Sequence, residues 1–211
     1  MQRIILAMAG ALVVLVFAAA VFLGMGGIGG ESDRPAGSAA LQIDGSSIGG
    51  PFTLVDHTGE TRTSADLIDK PTLIYFGYTF CPDVCPVDTQ VMTEVVDELA
   101  KLEIDAQPVF ITVDPARDDV ETMAAWAEIH HPKLVAMTGS NAQVEAAKAA
   151  YKVFAQRVEV DGEADYLMSH TSFLYFADTT GLRAAYRTRD REGNQVEPAT
   201  FAADIDWVLT N

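Results

Sequence analysis

Cys81 and Cys85 are the only cysteines of the chain, with three residues between them, in Tyr75-Phe-Gly-Tyr-Thr-Phe-Cys81-Pro-Asp-Val-Cys85-Pro-Val-Asp88. A thiolate is the nucleophile of disulfide exchange and a ligand that soft metals prefer. Two of them on one short loop can close a disulfide or chelate a single ion. A purely structural disulfide is the plainer alternative. A ring this small restrains little of the unfolded chain, since stabilisation by a disulfide grows with loop length. The spacing therefore points to a reactive pair.

The elements around the pair must hold it in place. Thr72-Leu-Ile-Tyr-Phe76 is a short apolar run rich in β-branched and aromatic residues and predicts a buried strand. After the cysteines, Val87, Val91, Val95 and Leu99 recur at helical spacing, with Met92 and Val96 beside them. The cysteines thus fall on the loop between a core strand and a helix. Pro82 disfavours helical geometry at Cys81. Pro86 suits the first helical position, which places Cys85 at the cap and Asp88 in the first turn. A thiol at a helix N-terminus ionises more readily, because the unpaired amides and the helix dipole favour negative charge.

The rest of the chain predicts alternating strands and helices. Pro51 to Val55 and Glu60 to Thr63 form a hairpin turning at Gly59, with His57 exposed in the turn. Pro108 to Val113 is an all-apolar strand of the kind covered on both faces. Asp118 or Asp119 caps a helix to about Ile129, with Trp126 on its buried side. Leu134 to Met137 is a strand, and a helix runs from Asn141 to about Phe154. Ser172 to Phe176 and Leu182 to Tyr186 form a second hairpin, and Pro198 to Leu209 closes the chain as a helix. Cysteines after the first core strand of such an order read as a thioredoxin-like α/β domain.

His170 lies just before Ser172, on the segment that enters that late strand. In a thioredoxin-like fold this segment passes beside the cysteine loop, so His170 is either a ligand or a buried structural residue. His130 and His131 end a helix before Pro132, where a cation suits the dipole, and are expected to be structural.

Composition bounds the partners. The 211 residues carry 30 acidic against 14 basic side chains, a formal charge of −16, which argues against nucleic acid and anionic headgroups. Ile4 to Gly30 holds no charged residue, and the 20 residues Ile4 to Leu23 are long and apolar enough to cross a bilayer. Arg3 in front and Glu31 and Asp33 behind favour a cytoplasmic N-terminus and an exported domain. A signal peptide cleaved after Ala18-Ala-Ala20 is the rival, but Val21, Phe22 and Leu23 continue the apolar run. No cysteine follows that run to carry a lipoprotein anchor. The expected organisation is an anchor over 1–30, a flexible Gly/Ser/Ala/Asp-rich linker over 31–48 and one domain over 49–211.

The segments Gly49-Gly-Pro-Phe-Thr-Leu-Val55, Tyr75 to Pro86, Val113-Asp-Pro-Ala-Arg-Asp118 and Asp165-Tyr-Leu-Met-Ser-His-Thr-Ser172 resemble the Sco/SenC proteins. These are membrane-anchored, thioredoxin-like copper proteins of cytochrome c oxidase assembly, with a peroxiredoxin-like variant of the fold. The resemblance implies one copper ion held by Cys81, Cys85 and His170. It also implies a bacterial inner-membrane location with the domain in the periplasm, and the copper-bearing oxidase subunit as partner. Ser169 departs from it, since many members carry an acidic residue there.

Two soft thiolates and an imidazole suit Cu(I) and can still hold Cu(II), though zinc accepts the same set with a water. Met168 is a conceivable extra soft ligand against a core-packing role. Asp114 either fixes the turn at Pro115 or influences the site, and Asp83 either faces solvent or tunes the thiolates. Three functions compete: a copper chaperone delivering by thiolate exchange, a thiol–disulfide oxidoreductase with Cys81 and Cys85 as its catalytic pair, and a copper or redox sensor.

The unbroken apolar run predicts that the anchor stays attached. Mass spectrometry of the native protein from the membrane fraction should find residues before Val21. A soluble native species starting at Val21 or later would rule the anchor out.

Overall fold

Tyr75 and Phe76 point to opposite faces of the strand they share, as neighbours in a strand must, and each seeds an aromatic cluster. The computed structural model describes residues 48–159, 166–190 and 192–211, and the backbone of 40–42. The apolar segment 4–23 and most of the expected linker lie outside these residues. Among the described residues no helix is long and apolar enough to cross a membrane.

The strands are β1 (Ala40–Gln42), β2 (Thr53–Asp56), β3 (Thr61–Thr63), β4 (Thr72–Gly77), β5 (Gln107–Thr112), β6 (Val135–Thr138), β7 (Ala155–Glu159), β8 (Tyr166–His170), β9 (Leu174–Asp178) and β10 (Gly181–Tyr186). The helices are α1 (Ser64–Leu67), α2 (Val84–Lys101), α3 (Val120–His130), α4 (Asn141–Tyr151) and α5 (Pro198–Thr210). The main sheet runs β1-β10-β9-β4-β5-β6-β2-β3. Its centre, β4-β5-β6, is parallel, and antiparallel β9 and β2 flank it. All six residues of β4 are buried, as its sequence requires of a strand covered on both faces.

On one face Tyr75 meets Phe110, and Phe110 meets Trp126 of α3 at 5.2 Å between ring centres. Tyr186 meets Phe201 of α5 there too. On the other face Phe76 packs on Tyr151 of α4 and on Tyr175, and Tyr151 reaches Phe52.

Local chemistry sets the helix ends. Asp119 caps α3 by accepting from the Thr122 amide at 2.9 Å, and Ser140 with Gln143 forms a capping box on α4. The structure ends α4 at Tyr151, short of Phe154. Lys152 adopts a left-handed conformation and the Val153 amide turns back to the Lys148 carbonyl, a C-terminal stop that frees the chain to enter β7.

Two further elements differ from the sequence expectation. Strand β1 lies inside the stretch read as linker and pairs antiparallel with β10. Strands β7 and β8 form a separate two-stranded sheet between the expected helix and the expected hairpin, where the sequence predicts no element. Strand β7 is largely polar and exposed, and β8 buries its alternate residues only in part, so no fully buried face imposes a legible period of two.

Gly77 ends β4 where no side chain fits. A Cβ there would lie 2.7 Å from the Tyr75 ring, 3.0 Å from the Phe110 ring and 3.1 Å from Cys85 Sγ. Gly77→Ala should therefore overpack the core and cost about 1–3 kcal/mol, read as a lowered urea midpoint with an unchanged slope. An unchanged midpoint would show that this space is not filled.

Candidate metal and thiol centre

The loop after β4 is fixed before it reaches the cysteines. The fully buried Asp118 accepts from the Thr79 amide at 3.1 Å, from the Thr79 hydroxyl at 2.6 Å and from the Thr112 hydroxyl. Burial still pushes its carboxyl above the usual range. The chain then turns through Phe80, which is 50% exposed, to Cys81.

Helix α2 begins at Val84, so Cys85 is its second residue rather than its cap. Asp83 holds the cap position with its side chain in solvent and makes no capping hydrogen bond. Cys81 takes that role: its Sγ accepts from the Cys85 amide at 3.4 Å and from the amides of Asp83 and Val84. This reverses the expectation for the two thiols. Hydrogen bonding from the Cys85 thiol, with those amides, holds Cys81 down to about 5. Cys85 is fully buried, and its bond to Cys81 together with burial pushes it well above the usual thiol range. One proton between the two sulfurs resides on Cys85, and Cys81 is the thiolate.

Beneath Cys85 lies a buried polar cluster absent from the sequence reading. Asp88 accepts from the Tyr75 hydroxyl at 3.0 Å and from the Ser172 hydroxyl at 2.6 Å. The Tyr75 hydroxyl lies 3.9 Å from Cys85 Sγ and 3.2 Å from Ser172 Oγ. Burial is the main reason that the Tyr75 phenol is pushed well above its ordinary value. Asp88, four residues before Met92 on the apolar face of α2, was the available signal, because a carboxylate at a core position demands partners.

His170 ends β8 rather than lying in a loop, and its Nε2 is 3.3 Å from Cys85 Sγ. Its Nδ1 is 2.9 Å from the Thr171 carbonyl. A carbonyl only accepts, so Nδ1 carries the proton and the Nε2 lone pair faces the thiols. The ring stands edge-on to Tyr78 and Tyr75, with centres at 5.8 and 6.3 Å. Burial first, and the neighbouring cysteines, raise the Tyr78 phenol to about 12.

The other candidates divide. Met168 packs half-buried against the core, and Ser169 is exposed across the hairpin from Gln156. Asp114 is buried and bonded to Arg117 and Tyr166. His57 is half-buried, not exposed, and its Nδ1 accepts from the Ala136 amide at 3.3 Å. His130 stacks on Trp126 at 4.2 Å, and His131 Nε2 meets Asp97 at 3.3 Å. A cavity of about 740 Å³ lies elsewhere, lined by Ile48 to Gly50, Tyr151 and the β9–β10 turn, and includes none of these groups.

Among the described residues, no three His, Cys, Asp or Glu side chains already stand at ligating distances around one point. Cys85 Sγ stands instead between the other two, hydrogen-bonded to Cys81 and 3.3 Å from His170 Nε2. Loss of the one shared proton gives two thiolates and a neutral imidazole, a donor set that fits a soft monovalent or borderline ion.

Residues 41–209 match the family model described as SCO1/SenC. The chain belongs to the SCO1/SenC family. It is 40% identical over 149 residues to the mitochondrial SCO2 homolog of Danio rerio, covering 70% of this chain and 53% of that one. It thus spans about half the length of that relative. Copper-bound ScoI of Arabidopsis thaliana is 30% identical with a TM-score of 0.70, covering 77% of this chain and 98% of that one. Copper-bound ScoI of Bradyrhizobium japonicum is 35% identical with a TM-score of 0.61, covering 76% and 99%. The thioredoxin-like α/β fold of the Sco family is therefore the fold of this SCO1/SenC member.

The split thiols set a pH dependence. A depressed folded value means that Cys81 contributes stability above the ordinary thiol range and loses it as pH falls toward about 5. Cys85, raised, works the other way and costs stability only at alkaline pH. Iodoacetamide should label Cys81 at a nearly level rate from about pH 8 to about pH 6, falling near about pH 5, with Cys85 slow throughout. Peptide mass spectrometry resolves the two sites, and faster labelling of Cys85 would overturn this assignment.

Proposed function

We propose that this protein carries one copper ion on Cys81, Cys85 and His170 and delivers it to the binuclear copper centre of a cytochrome c oxidase subunit. The observation that carries the reading is the Nε2 lone pair of His170, turned toward Cys85, the inner thiol of the pair, 85 positions earlier. A thiol–disulfide enzyme needs the two sulfurs but not a fixed imidazole acceptor beside them. The copper-bound ScoI relatives, similar in sequence and fold, support copper as the cargo. The linker over 31–48 and the apolar segment 4–23 would hold the domain at the outer face of a bacterial inner membrane.

Delivery proceeds by ligand exchange. An acceptor thiolate forms one bond to the copper as Cys81, the half-exposed ligand at the rim, gives up its own. A second acceptor thiolate then replaces the buried Cys85, and the bond to His170 Nε2 breaks as the copper leaves, returning the imidazole lone pair it donated. The copper keeps its oxidation state, and the two donor thiolates recover the single proton they share. The net charge of −16 steers the domain toward a basic docking surface.

The unequal thiols favour one second reading. A thiolate at the rim and a protonated, buried partner are also the attacking and resolving pair of a dithiol reductase acting on the acceptor's cysteines.

The reduced domain from Pro35 onward, which keeps β1, should bind one copper, and its disulfide form none, because oxidation removes both thiolates at once. His170→Ala should still capture Cu(I), lose stable Cu(II) binding with its thiolate charge-transfer colour, and impair oxidase assembly as severely as Cys81→Ala. Normal oxidase in His170→Ala cells beside a dead Cys81→Ala strain would defeat the chaperone reading and favour the reductase.

A further inference from the structure

His170 reaches the thiols from a hairpin that pairs only with itself. Strands β7 and β8 form a two-stranded sheet separate from the main one. Such a hairpin is marginal unless something packs against it. Its outer face, with Phe154, Val158 and Leu167, is exposed. The inner face carries Tyr166, Met168 and His170 at alternate positions.

Tyr166 is where this inner face is fastened. Its hydroxyl donates to Asp114 Oδ1 at 2.9 Å, and Arg117 Nε donates to Asp114 Oδ2 at 2.6 Å. Arg117 Nη1 also donates to the Tyr166 carbonyl at 3.0 Å, and its guanidinium lies 3.7 Å from the Tyr166 ring centre. The same guanidinium lies 4.8 Å from the Phe80 ring and 5.8 Å from the Tyr78 ring. Phe80 adjoins Cys81, and Tyr78 stands edge-on to His170. One arginine therefore touches the loop that carries the thiols and the strand that carries the imidazole. Arg157 covers the opposite side of the Tyr166 ring at 3.7 Å, but pairs with Glu159 of its own strand and not with Asp114.

We infer that Asp114, Arg117 and Tyr166 form a clasp that positions His170 against Cys85. Its purpose rests on the copper reading, while its geometry can be tested without metal. The parts suit the task. A buried carboxylate holds the guanidinium fork in one plane, and that plane stacks on one ring while a fork nitrogen bonds the backbone. Lysine offers neither the plane nor the fork. Tyr166 lies four residues before His170 on the same face, so freeing it lets the inner face lift from the thiols.

Arg117→Ala leaves the Asp114 carboxylate buried without its ion partner and endangers folding. Tyr166→Leu is the cleaner variant, because Tyr166 is half-buried and the Asp114–Arg117 pair survives. Tyr166→Phe keeps the stacked ring and drops only the hydroxyl bond. Arg157→Ala is the control on the other side of the ring.

In the reduced, metal-free protein, diethylpyrocarbonate should modify His170 of Tyr166→Leu about tenfold faster than in the parent, the scale of a lost half-buried cation–π contact. Tyr166→Phe should lie between the two, Arg117→Lys should resemble Tyr166→Leu, and Arg157→Ala should stay near the parent. With copper, Tyr166→Leu should keep one Cu(I) but lose or shift the Cu(II) thiolate band. Unchanged His170 reactivity and an unchanged band in folded Tyr166→Leu and Arg117→Lys would overturn the clasp while leaving the copper reading in place. Faster modification in variants of a parent that binds no copper would uphold the clasp and remove the copper reading.

Discussion

Everything near the thiols depends on one contact, Cys85 Sγ to His170 Nε2 at 3.3 Å, between a helix start and the end of a small hairpin 85 positions apart. A fully buried thiol beside an imidazole is tolerable only where each polar group around it has a partner. The fold supplies them by stacking Tyr75, Asp88 and Ser172 directly below, drawn from β4, from α2 and from the entry to β9. Gly77 keeps space open at the end of β4 so that the sulfur, the Tyr75 ring and the Phe110 ring can share it. Removing any of these would leave either a clash or an unpaired polar atom, and the contact is over-determined for that reason.

The asymmetry of the thiols follows from where α2 begins. Had the helix started after Cys85, both sulfurs would face its free amides and compete for them. With Val84 as the first helical residue, the amides of residues 83–85 converge on Cys81, while Cys85 is carried one step into the core. The bond between the sulfurs splits their protonation, and the amides that favour one thiolate and the burial that keeps the other protonated come from a single boundary. Asp118 sets that boundary from the far side by holding Thr79, so the loop has one route from β4 to the helix.

The legibility of the sequence tracked burial. Strand β4, helix α2, the cap at Asp119 and the β9–β10 hairpin were readable because each has an apolar face or a capping residue of fixed chemistry. Strands β7 and β8 were not, because a hairpin fastened by Arg117 and Tyr166 needs no apolar period. The cysteine pair announced itself by composition, yet which sulfur would ionise turned on a two-residue shift in the helix start, finer than sequence pattern resolves. His170 stood out by its place before a late strand, whereas Asp88, Asp118 and the Asp114–Arg117 pair act through contacts between distant segments. Their residue types were visible from the start, but their partners lie between 6 and 84 positions away along the chain.

The location of this chemistry also has a cause in the topology. Strands β4 and β5 run parallel, and their C-terminal ends, Gly77 and Thr112, deliver the chain to the two loops that hold Cys81 and Asp114. In such sheets the crevice beyond the strand ends is where loops converge and helix N-termini point outward. Helix α2 therefore presents its amides at the same edge where the β5–α3 loop presents a buried ion pair. The added β7–β8 hairpin then supplies the one donor that a thiol pair on this framework lacks. A reductase could be built from β4 and α2 alone. The soft-metal site proposed above needs the hairpin as well, and under that proposal the residues that hold the hairpin belong to its chemistry as much as the proposed ligands do.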